Sequence, residues 1–194
     1  MFILGHVGIG SRLGTLLPSV RAAPRRGWLI LGTLLPDLID KPLYYGLPLL
    51  TGSDEGGGLI SCTRTVGHSA LFAALLWLAV RALGRRAEAL ALLVGMATHW
   101  LLDLGGDVSG YLTHALGVTS KPAGWSSLKA LLFPLVGGHF AVMPFHSARE
   151  HLVSLAQVYT LLGEAVGAVL LLTAWHKGHA ARQVEAPAPD GTVP

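Results

Sequence analysis

Charge is what this chain lacks most. Asp, Glu, Lys and Arg make up 13% of its 194 residues, against about 25% in soluble domains. Too few charges remain to coat a soluble globule. At 52% of the chain, apolar residues are also too many for a disordered segment. Cys62 is the single cysteine, so an internal disulfide and a CxxC zinc or redox pair are both excluded. The net charge is only +3, too small and too scattered for a nucleic-acid surface. No GxSxG, HExxH or P-loop is present, so serine hydrolase, zincin and NTPase readings lack support. The apolar start has no basic n-region, Arg12 interrupts it and no A-x-A site follows, so a cleaved signal peptide is not expected. There is no internal repeat.

What is there is a series of apolar runs. They cover residues 2–17, 27–50, 66–80, 87–104, 128–145 and 152–175. Two basic breaks, Arg21 to Arg26 and Arg81 to Arg86, separate the first pair and the third from the fourth. Pro36, Asp37, Asp40, Lys41 and Pro42 cut the second run, and Gly105 to Ser127 reads as a loop. Pro134, Gly137, Gly138 and Pro144 break residues 128–145, which suits a re-entrant or interfacial segment. These features predict an all-α integral membrane bundle of about five or six segments. The membrane domain covers residues 1–175, and residues 176–194 form a polar, disordered tail.

Few ionisable residues lie inside the runs: His6, Asp37, Asp40, His68, His99, Asp103 and Glu164. A charge at membrane depth costs about 2.5–3.5 kcal/mol on insertion scales, so each needs a partner or a purpose. Folding the 66–80 and 87–104 runs as a hairpin brings His68 level with His99 and Asp103, away from the arginine turn. The first two runs repeat the arrangement with His6, Asp37 and Asp40. Three His and three Asp then converge at one end of a four-helix cluster. His99 and Asp103 are i and i+4, and Asp37 and Asp40 are i and i+3, so each pair shares a helix face. Imidazole with carboxylate suits Zn²⁺, Mn²⁺ or Fe²⁺, as one or two ions. The competing reading is a hydrogen-bonded structural network. Ser69 reads as a helix N-cap. Glu164 is expected to meet an Arg or His of another helix.

The pieces GHVGIG, LLPDLID, RTVGHS and THWLLD, in that order, also form a recognisable set. They resemble the bacterial membrane-bound metal-dependent hydrolases, the family that includes the LexA-regulated inner-membrane hydrolases. The resemblance covers residues 1 to about 106. It places the family's motif positions on His6; Asp37 and Asp40; Arg64, His68 and Ser69; and His99 and Asp103. A more distant likeness is to zinc-dependent phospholipase C and its nuclease relatives, whose sites end in His-x-x-x-Glu or His-x-x-x-Asp. His146 and Glu150 have that spacing, which makes them a second-tier ligand pair.

The expectation is therefore a metal-dependent hydrolase of the bacterial inner membrane, acting on a lipid or other amphiphilic ester, with a phosphoester the first guess. Metal-activated water is the nucleophile. Asp37 or Asp40 takes the proton, the other binds metal, and Arg64 offers a cationic fork to phosphate or carboxylate. The rival is a non-enzymatic ion- or proton-translocating or metal-binding module. The absence of repeats and the placement of the polar residues at helix ends favour the enzyme. If the basic turns are cytoplasmic, the site faces the extracytoplasmic side.

Overall fold

The computed structural model describes residues 3–21, 23–51, 62–119, 124–140 and 157–184. Among the described residues every regular element is helical and no strand occurs. The chain begins with α1 (Ile3–Gly5), a π-helical turn (His6–Gly10) and α2 (Ser11–Gly14), which run end to end. A 3₁₀ turn (Pro18–Val20) leads to the long α3 (Ala23–Thr51). A second 3₁₀ turn (Val66–His68) precedes α4 (Ala70–Ala82) and α5 (Arg86–Ala115). Among the described residues, the short α6 (Ser126–Leu131) and the long α7 (Val158–Val184) follow.

The centre of the molecule is the pair α3 and α5. They pack in parallel, with Leu29 and Gly32 of α3 opposite Leu92 and Gly95 of α5. Both glycines are needed for the approach. A Cβ on Gly32 would lie 2.2 Å from the Leu92 carbonyl oxygen, and one on Gly95 would lie 2.3 Å from that of Leu29. Small residues at such crossings let backbones touch, a device common where helices meet in lipid. Gly95→Val should therefore force the helices apart, at a cost of at least about 1–3 kcal/mol, read as a lower melting temperature in detergent. An unchanged melting curve would mean that the helices separate freely. The two basic turns share one end of this pair, where the Arg85 guanidinium lies 5.9 Å from the centre of the Trp28 ring.

Two helices are longer than the sequence suggested. The prolines do not cut α3, which runs unbroken from Ala23 to Thr51. An interior proline removes one helical hydrogen bond, a local cost that the packing of α3 along α5 over its length offsets. Likewise α5 continues past Gly105 to Ala115 instead of ending in a loop. These glycines form a seat: a Cβ on Gly105 would lie 2.4 Å from the Tyr159 hydroxyl, which donates to the Leu102 carbonyl at 2.6 Å. Asp37, Asp40, His99 and Asp103 consequently lie midway along long helices, not at their ends. In the 128–145 run, α6 stops at Leu131. The last helix, α7, continues past His176 to Val184.

Among the described residues two helices, Arg86–Ala115 and Val158–Gly178, are long and apolar enough to cross a membrane. At about 1.5 Å per residue the 13-residue α4 reaches only about 20 Å, short of the hydrocarbon thickness. Leu161, Leu162, Val166, Val169, Leu172 and Trp175 of α7 are all exposed, whereas His6, Asp40, His68 and His99 are among the most deeply buried side chains.

Candidate metal centre

Five of the six residues singled out in the sequence turn their side chains toward one point. His6 comes from the π-helical turn, Asp37 from α3, His68 from the second 3₁₀ turn, and His99 and Asp103 from α5. Their ligand atoms form two triads, His6–Asp37–His99 and His68–His99–Asp103, and within each triad the atoms lie within 4.8 Å of one another. His99 belongs to both. Isolated π-helical turns are frequent at functional sites, because the extra residue re-aims a side chain. Here the turn starts at His6, whose ring stacks on that of His99 with centroids 4.0 Å apart.

Hydrogen bonds on the far side of each ring fix which nitrogen faces inward. His99 Nδ1 lies 2.7 Å from the Thr33 carbonyl oxygen, which can only accept, so Nδ1 carries the proton and Nε2 is bare. Pro36 has no amide to return to Gly32, and the Thr33 carbonyl one residue on faces this ring. His68 Nδ1 lies 2.6 Å from Asp40 Oδ2, again leaving Nε2 to point inward. A carboxylate or carbonyl behind a ligating imidazole is the usual support of a metal-binding histidine.

The two Nε2 atoms face each other at 3.1 Å. Two lone pairs at that distance repel unless a proton or a metal ion sits between them. Asp103 Oδ2 lies 3.5 Å from His68 Nε2 and 3.7 Å from His99 Nε2. Asp37 Oδ1 is 3.7 Å from His68 Nε2, and Asp103 Oδ1 is 3.4 Å from His6 Nε2. Ligand bonds of about 2.0–2.1 Å in a tetrahedron place neighbouring donors about 3.3 Å apart. Donor types and spacings fit metal coordination, so these buried His and Asp groups can hold a metal ion.

Asp40 differs from the other five. Neither triad includes it. It is wholly buried and accepts from Thr65 N at 2.6 Å, Gly67 N at 2.9 Å and His68 N at 3.2 Å, besides the Thr65 hydroxyl at 2.9 Å. It therefore supports His68 and the loop before α4. Asp37 is the accessible acid: it is 13% exposed and paired with Lys41 one turn on.

Arg64 points its fork at the chain's own acids. Nε donates to Asp103 Oδ2 at 2.8 Å, and Nη1 reaches the Ser126 hydroxyl at 2.9 Å and Asp107 Oδ1 at 3.5 Å. Burial works against its charge, but Asp103 and Asp107 more than offset this and raise its pKa. Ser69 caps α4, accepting from Phe72 N at 3.1 Å.

Asp107 was not singled out, although His99, Asp103 and Asp107 continue one helix face at four-residue steps. It accepts from Ser127 N at 2.9 Å, which ties α6 to the site. Among the described residues, Glu164 accepts backbone amides of α1 and is not paired with an Arg or His. His146 and Glu150 lie outside the described residues. In comparisons with known proteins, no family model, no curated protein and no solved structure matches this chain.

Proposed function

We propose that the chain is a membrane-bound metal-dependent hydrolase acting on an ester, first among them a phosphoester, of a lipid or other amphiphile. The carrying observation is the pair of facing Nε2 atoms of His68 and His99, 3.1 Å apart and backed by Asp40 and the Thr33 carbonyl. A zinc-type ion held there would lower the pKa of a bound water to about 7 and polarise the scissile group. His6, His68, His99 and Asp103 are the ligand set. Asp37, the acid at the accessible edge, is the general base. Arg64 holds Asp103 turned inward, and Asp40 fixes the tautomer of His68. The resemblance to the membrane-bound metal-dependent hydrolases agrees with this reading, as does the apolar exterior of α7. On the positive-inside rule, the shared arginine end is cytoplasmic, and the half of α3 and α5 beyond the site extends toward the extracytoplasmic side.

A second reading keeps one observation in its favour. Midway placement along two long helices suits an ion- or proton-carrying module as well as an enzyme. One experiment separates them. Purified protein is assayed on a generic phosphodiester and a lipid ester, with and without a chelator. The hydrolase should turn over one of them and lose that activity on chelation. It should also melt lower without metal, because an ion present at 100 times its Kd stabilises the folded state by about 2.7 kcal/mol. An unchanged melting curve after verified metal removal, with no turnover, would discard the hydrolase.

A further inference from the structure

We propose that Glu164 is a positioning residue for the metal centre: from α7 it holds the helical turn that presents His6. The inference rests on the metal-dependent reading above. An acid within an apolar helix is costly unless something uses its charge. Here Oε1 accepts the amide of Gly5 at 2.9 Å and Oε2 that of Leu4 at 3.1 Å. These amides belong to the first turn of α1, where a helix has no internal acceptors for its N–H groups and carries partial positive charge. Both requirements are met at once, by a carboxylate from another helix. The residue after Gly5 is His6, the first of the π-helical turn.

The backbones are locked around this contact. Gly163 and Gly167, spaced as in helix-dimer motifs, lie one residue before and three after Glu164. A Cβ on Gly167 would fall 2.2 Å from the Leu4 carbonyl oxygen, and one on Gly8 would fall 2.3 Å from that of Gly167. So α7 touches the N-terminal helix on both sides of His6, and Glu164 sets the height at which the two meet. His6 in turn stacks on His99 and faces Asp103. A slip of α7 would move a ligand, although α7 itself contributes none.

The test uses the full chain in detergent, with Glu164→Ala and Glu164→Gln beside the wild type. The Gln carbonyl can accept one of the two amides while its NH₂ faces the other donor, so that variant should fall between the wild type and Glu164→Ala. In metal-free protein, Glu164→Ala should shift the His6 ring resonance as the ring leaves His99, and should speed exchange of the Gly5 amide. Titration with Zn²⁺ should show affinity weakened between about 10- and 100-fold, the range for supporting partners of metal ligands. If Glu164→Ala does not fold, Glu164→Asp, which draws the carboxylate back by one methylene, is read in its place. A wild-type His6 resonance in the variant, or a wild-type Zn²⁺ affinity, would overturn the proposal and leave Glu164 as a fold contact. Should the wild type bind no Zn²⁺ while the His6 resonance still moves, the metal reading fails and the positioning of His6 stands.

Discussion

Replacing His99 should abolish metal binding. It is the one residue common to both triads, and it is completely buried. Its Nδ1 is committed to the Thr33 carbonyl, so it offers a single ligating atom, Nε2, for which the two triads compete. Losing that atom removes a ligand outright. The effect should exceed the roughly 10- to 100-fold that supporting partners contribute. His99→Ala also leaves a void against His6, and large-to-small changes in a core cost about 2–5 kcal/mol. His99→Phe separates the two consequences, since it keeps a ring for His6 to stack on and has no nitrogen. We expect metal analysis to find bound ion in the wild type and none in either variant, with His99→Phe the better folded. Wild-type metal content in His99→Phe would show that the ligands lie elsewhere.

Much of this centre was legible in the sequence because helical spacing is rigid. His99 and Asp103, four residues apart, had to share a face. The arginine turns identified which ends of the runs lie together, and α3 and α5 do lie parallel, with Arg85 over Trp28. Three things were not legible. Pro36 and Pro42 read as breaks, yet their cost is local, while the packing of α3 along α5 acts over the whole helix. Gly105 and Gly106 read as a loop because a glycine looks the same whether it frees the backbone or makes room for a neighbour. That neighbour, Tyr159, is more than fifty residues away. The division of labour between Asp37 and Asp40 was equally hidden. Three residues apart on one helix, they look equivalent until the loop carrying Thr65, Gly67 and His68 closes over Asp40.

That closure makes Asp40 the acid whose loss should cost most in stability. Its two oxygens serve five donors, namely three backbone amides, the Thr65 hydroxyl and His68 Nδ1, and it is 0% exposed. The loop is tight as well as bonded: a Cβ on Gly67 would lie 3.0 Å from Asp40 Oδ1 and 3.0 Å from the Pro36 carbonyl oxygen. Asp40→Ala leaves donors buried without an acceptor, and breaking a buried charged pair from one side costs about 3–5 kcal/mol. Asp40→Asn keeps the shape but turns an amide NH₂ toward groups that also donate, so it should lose stability by a smaller margin. In both variants His68 is released to rotate or change tautomer, and Zn²⁺ affinity should fall about 10- to 100-fold. Unfolding in detergent without metal reads the first effect, and Zn²⁺ titration of the folded protein reads the second. If Asp40 were itself a ligand instead of the support behind His68, Asp40→Asn would lose metal as completely as His99→Phe, and the affinity of the Asn variant is therefore the measurement that separates the two roles.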